Sequence, residues 1–87
     1  MDVRQLVGQN VRKLRLDRDM SQEAVAELMG VDRAYVSALE LGHRNPTIIT
    51  LWQVAEALDV DLRELVEPVS APRPSGRAPR QRSSKSR

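Results

Sequence analysis

Apolar residues recur at three- and four-residue steps almost without interruption from residue 3 to residue 66. That spacing lines one face of an α-helix. Val3, Leu6, Val7, Val11 and Leu14 mark a first helix, with Gly8 inside it at a cost of up to ~1 kcal/mol relative to alanine. Asp17 to Met20 end it in a polar turn. Ser21 is a good N-cap for a second helix. Ala24, Val25, Leu28 and Met29 form its expected buried side, and Gly30 can take positive φ after its last turn. Asp32 is expected to cap a third helix, 33–40, with Val36 and Leu39 inward, Tyr35 at the edge and Gly42 closing it. Asn45-Pro46 interrupts the helical run. Thr47 then caps a fourth helix with a core stripe of Ile48, Leu51, Ala55 and Leu58. Asp61 with Glu64 has the form of a capping box, opening a short fifth helix that Pro68 stops. The β-branched run Thr47-Ile48-Ile49-Thr50 hints at a strand, but the helical stripe around it prevails. The pattern predicts five short helices in a compact all-α domain.

Composition confines that domain to part of the chain. Of 87 residues, the last twenty are mostly Pro, Ser, Gly and Arg, with prolines at 68, 72, 74 and 79. Such a segment cannot bury enough surface to offset its conformational entropy. The expected division is a folded unit over 1–67 and a disordered tail over 68–87. A unit of that size buries only ~60% of the surface its unfolded chain exposes. There is no cysteine, which excludes disulfides and thiolate metal sites. No apolar stretch approaches the ~18 residues of a membrane helix, and the N-terminus has no signal-peptide core, so a cytoplasmic location is expected.

Charge is more informative divided than summed. Residues 1–67 hold eight Lys/Arg against all twelve Asp/Glu, a net of −4, whereas residues 68–87 hold six cations and no acid. The basic character belongs to the tail, so overall charge is a poor argument for nucleic-acid binding. The tail's cations could still add phosphate contacts indifferent to sequence; its plainest role is a solvated extension.

The stretch from Ser21 to Glu40 carries the chemistry. Two helices of about eight residues meet at a tight turn around Gly30, as a helix-turn-helix requires. Leu28, Val31, Val36 and Leu39 are expected to lock the pair. The outward flank of the second helix is then Arg33, Ala34, Ser37 and Ala38, slim enough to enter a major groove about 12 Å wide.

Ser21-Gln22, Ala26, Gly30-Val31, Ser37, Glu40 with Gly42, Asn45-Pro46, Leu51, Ala55 and Leu58 together resemble the Cro/C1-type (XRE) helix-turn-helix regulators over about residues 7–66. Asp32 to Ser37 with Arg44 to Ile48 is similar to the controller proteins of restriction-modification systems. The resemblance implies a lambda-repressor-like fold and a homodimer on a palindromic operator. It implies that Gln22 meets a phosphate and that Arg33 is the main base reader. Ala34 and Ala38 would permit close approach and touch thymine methyls, Ser37 would bond a base or phosphate, and Tyr35 would contact the backbone. Arg44 and Asn45 would hold adjacent phosphates. Arg15 would pair with Glu40 and orient the third helix, with a second role near phosphate. Leu41 departs from the polar residue usual before that glycine.

Blander readings stand beside these. Tyr35 is divided between packing and contact. Ile49 and Trp52, off the stripe of the fourth helix, either finish the core or make a dimer surface. His43 has no ligand partner, and Asp59 and Asp61 lack a base or nucleophile, so no metal, cofactor or catalytic residue is implied. The expected function is a sequence-specific transcriptional regulator that represses or, through contact with RNA polymerase, activates. The rival is an antitoxin-like or controller-type subunit whose tail or fourth-helix surface binds another protein. A second rival, an enzyme, is not expected, given the missing Cys, the single His and the absent carboxylate constellation.

Overall fold

The computed structural model describes residues 2–68; the expected disordered tail, Pro68 apart, lies outside the described residues. Four α-helices follow one another: α1 (Val3–Asp17), α2 (Gln22–Met29), α3 (Arg33–Glu40) and α4 (Ile48–Leu58). The fifth expected helix is a single 3₁₀ turn, Leu62–Leu65. Its capping box is present: Asp61 Oδ1 accepts from the Arg63 N–H at 2.9 Å, and Glu64 Oε2 accepts from the Asp61 N–H at 3.0 Å. Four residues leave no room for an α-helical ladder before Pro68. No strand forms among the described residues.

Helix starts follow the expected caps with one exception. The Ser21 and Thr47 hydroxyls accept from the Ala24 and Thr50 N–H groups. Asp32 has the extended backbone of an N-cap, yet its exposed carboxylate accepts no cap hydrogen bond.

The ends of all four helices share one device. After α3 the His43 N–H donates to the Ala38 carbonyl and the Gly42 N–H to the Leu39 carbonyl, the paired bonds of a Schellman motif. The same pairs close α1 around Asp19, α2 around Gly30 and α4 around Asp59. Gly30 and Gly42 take the required positive φ, as do the non-glycines Asp19 and Asp59.

Val7, Val11, Val25, Ala26, Val36, Leu39, Val54, Ala55, Leu58 and Leu65 form the core. Two stripes differ from the expected ones. Leu28 is 63% exposed, because the buried face of α2 is centred between Val25 and Ala26. At about 100° per residue that centre puts Leu28 on the flank and Gln22 on the inner side. In α4 Val54 is fully buried and Ile48 is 63% exposed, since the face centres between Val54 and Ala55. The Asn10 amide pins the 3₁₀ turn and the residues just after it to α1, donating to the Leu65 and Glu67 carbonyls at 2.9 and 2.8 Å.

Candidate nucleic-acid interface

Helix α3 packs against both α1 and α2. Val36, Leu39 and Glu40 occupy its buried side. The opposite flank holds Arg33 and Ala34, both exposed, with Ser37 and Ala38 half-buried. The expected outward face of the second half of the helix-turn-helix is therefore accessible and unencumbered by bulk. Leu28, expected to lock α2 to α3, takes no part in the core; Val31 packs at its margin.

Gly8 sets the seating of α3. A Cβ built on it would lie 2.5 Å from the Leu39 carbonyl oxygen and 2.6 Å from that of Glu40. The glycine thus lets α1 run against the last turn of α3, a role that its helix propensity alone conceals.

Arg15 and Glu40 pair as expected. Arg15 Nε donates to Glu40 Oε2 at 2.6 Å and Nη2 to Oε1 at 3.0 Å, while Nη1 reaches the Met20 carbonyl at 2.8 Å. Both side chains are buried, 10% and 4% exposed. The hydrogen bonds it donates to Glu40 hold the Arg15 guanidinium more firmly charged than usual, against a desolvation penalty in the other direction.

This pair continues to the surface through Gln22. The Gln22 Nε2 donates to Glu40 Oε1 at 3.0 Å, and its Oε1 accepts from Arg33 Nη1 at 3.1 Å. Glu40 only accepts and Arg33 only donates, so the amide can face one way alone. The four side chains run from the core between α1 and α3 to the tip of the exposed flank. Gln22 joins it because it lies on the inner side of α2, a turn before Val25 and Ala26. That periodicity was the available signal for a link that sequence reasoning missed.

Beyond Gly42, Arg44 lies over the Tyr35 ring, with Cζ 4.8 Å from the ring centroid. Tyr35 is half-buried and packs against the core. An open recess of about 620 Å³ is lined by Val31, Asp32, Ala34, Tyr35, Ala38 and Arg44, among others. Asn45 is exposed beside it in sequence. Ile49 (66% exposed) and Trp52 (56%) lie on the outward side of α4, apart from the core. Of the two readings of these residues, finishing the domain's own core is therefore the one that fails.

Two helices joined at a glycine turn, the second with a slim polar flank exposed, define a helix-turn-helix DNA-binding domain. The chain belongs to the HTH_3 helix-turn-helix family, whose model matches residues 11–65. It is 48% identical over 68 residues to the uncharacterized HTH-type transcriptional regulator y4dJ of Sinorhizobium fredii, covering 78% of this chain and 88% of that protein. It is 36% identical to the control protein C.SmaI of Serratia marcescens, over 76% and 79% of the two chains. Among solved structures it is similar to the restriction-modification controller protein C.AhdI of Aeromonas hydrophila. The TM-score there is 0.69 at 42% identity, covering 71% of this chain and 94% of the other. The family consists of DNA-binding transcriptional regulators, not enzymes. No helix among the described residues is long and apolar enough to cross a membrane.

Proposed function

We propose that this protein is a homodimeric, sequence-specific regulator that occupies a palindromic operator and reads the major groove with α3. The observation that supports it most is the exposed flank of Arg33, Ala34, Ser37 and Ala38 on a helix whose other side is core. Arg33 is the base reader, its fork suited to the O6 and N7 of guanine. Ala34 and Ala38 allow approach and meet thymine methyls; Ser37 bonds a base or phosphate. The second N–H of the Gln22 amide is available for a phosphate, while Arg44 and Asn45 take the adjacent ones.

The dimer assignment follows from reach and from surface. One short helix covers about four base pairs; two copies read half-sites ~34 Å apart on one face of the duplex. Ile49 and Trp52, a turn apart on the outward side of α4, supply the apolar contact. The regulator acts in the cytoplasm at promoter-proximal DNA, blocking RNA polymerase or touching it.

A binding selection over random duplexes tests this reading. The expected product is a palindrome, and Arg33→Ala loses preference at one position per half-site, worth about 1–3 kcal/mol. Sedimentation of wild type and Trp52→Glu tests the dimer: the variant should sediment as a monomer and bind operator far more weakly. A selection that enriches no sequence, from a properly folded protein, overturns the proposal.

A further inference from the structure

Arg44 and Tyr35 come from different parts of the interface, the loop after α3 and the edge of α3 itself. Among the described residues no carboxylate lies within ion-pair distance of Arg44. The contact that orients its guanidinium is the Tyr35 ring, at 4.8 Å. That ring is a fixed platform, because Tyr35 is half-buried and packs against the core. The recess that both residues line is also lined by Ala34 and Ala38, which belong to the exposed flank of α3. The stack therefore holds the Arg44 cation at the rim of the reading surface.

We propose that Tyr35 is a positioning residue for Arg44: its ring face holds the guanidinium over the recess beside Ala34 and Ala38, ready to meet a phosphate of the bound duplex. This rests on the reading of α3 as the DNA-contacting helix. An exposed arginine loses rotamer freedom when it grips a phosphate, and a side chain oriented beforehand loses less. The attraction comes from the negative face of the ring, so the aromatic ring and not the hydroxyl carries the effect. A long non-aromatic side chain could fill the same space and leave Arg44 to wander.

A double-mutant cycle on the full chain, with the duplex selected by the wild type, isolates the coupling. Arg44→Ala should weaken binding about tenfold in wild type and in Tyr35→Phe, but less than about threefold in Tyr35→Leu. Arg44→Lys should recover part of the loss beside Tyr or Phe and none beside Leu, because an ammonium also responds to a ring face. In the free protein, the Arg44 δ-protons should show an upfield ring-current shift that survives Tyr35→Phe and disappears in Tyr35→Leu. Circular dichroism checks folding, and Tyr35→Met replaces Tyr35→Leu if the latter does not fold. An equal cost of Arg44→Ala in the wild-type and non-aromatic backgrounds overturns the proposal, as does an absent shift in the free wild type. A protein that selects no duplex but shows the shift loses the regulator reading and keeps the stack; one that selects a duplex but shows no coupling does the reverse.

Discussion

Glu40 Oε1 accepts two hydrogen bonds, from Arg15 Nη2 and from Gln22 Nε2, each at 3.0 Å. One carboxylate oxygen thus joins the core of the domain to the side chain that steadies Arg33. Removing either member of the buried ion pair leaves a charge uncompensated, at a cost of about 3–5 kcal/mol. For a domain this small that is a large share of its whole stability. Arg15→Met and Glu40→Leu should each lower the melting temperature severely. The double variant should recover most of the loss, since a well-packed apolar pair can replace a buried ion pair. Operator affinity should not recover with it, because Gln22 has lost its anchor. Thermal melts and binding isotherms on the three variants check this; parallel recovery of both would mean the carboxylate serves folding alone.

The Gln22 amide can be tested without disturbing the core pair. Gln22→Glu replaces the donor facing Glu40 by a second carboxylate, so the two repel across a half-buried contact. Stability should fall by about 1–3 kcal/mol, as for a buried acceptor left without its donor. Gln22→Met should cost less and act mainly on recognition, leaving Arg33 unsteadied. The expected signature is a reduced preference at the position that Arg33 reads, added to a modest sequence-independent loss from the missing Gln22 amide contact to phosphate. A repeated duplex selection with Gln22→Met measures it.

Much of the fold was readable because its signals are local. Ser21, Thr47 and the Asp61–Glu64 box act on N–H groups two or three residues away, and Gly30 and Gly42 declare the turns in which they stand. The exposed flank of α3 followed from the same short-range periodicity. Stripe centres were less secure: Leu28 and Ile48 fit an apolar spacing equally well, and only the direction of the neighbouring helix decides that Ala26 and Val54 go inside. Asp32 has the right residue type for a cap and does not use it. The Gln22–Glu40 contact joins helices distant in sequence, so residue type could suggest it but not establish it.

Gly8 presents the clearest reversal between propensity and packing. Alanine is the better helix former by up to ~1 kcal/mol, yet its Cβ would stand 2.5 Å from the Leu39 carbonyl oxygen and 2.6 Å from the Glu40 carbonyl oxygen. These are backbone atoms, so no rotamer change relieves the clash. Gly8→Ala should force α1 away from the last turn of α3 and destabilise by about 1–3 kcal/mol or more. Because Glu40 lies at that contact, the shift should also weaken the Arg15–Glu40 geometry. A denaturant titration is the check, and an unchanged or raised midpoint would show that the helices separate without cost.

Asp59 is the opposite case, a position where glycine should help. Its φ of 57 places an L-residue in the left-handed region, where the Cβ is penalised. Its N–H and that of Val60 still close α4 on the Glu56 and Ala55 carbonyls at 3.2 and 3.0 Å. Asp59→Gly keeps both bonds and removes the steric penalty, less the entropy glycine loses on folding. The net gain should be about 0.5–1 kcal/mol, raising the melting temperature by roughly 2–8 °C for a domain of this size. Asp19, with φ of 54 at the end of α1, should behave alike, and the two gains should add because the sites share no hydrogen bond.

The capping box at Asp61 gives a pH dependence of known sign. Hydrogen bonds from the Arg63 side chain, and then from its backbone N–H, hold the Asp61 carboxyl below the usual carboxylate range. A group whose folded-state pKa is depressed stabilises the fold above its unfolded value, and that contribution is lost as pH falls through the folded one. Asp2 is shifted in the same direction by Arg4. The share of the acid limb that these two carboxyls supply should therefore extend below the ordinary carboxylate range, with no change in these terms near neutrality. Asp61 is exposed and screened, so its share is small. Asp61→Asn keeps an oxygen for the Arg63 N–H but cannot titrate. It should lower the neutral melting temperature by no more than about 3 °C and make the acid limb shallower. Melts of the wild type and the variant from neutral to strongly acidic pH decide it: parallel curves would mean that this carboxylate contributes nothing to acid unfolding.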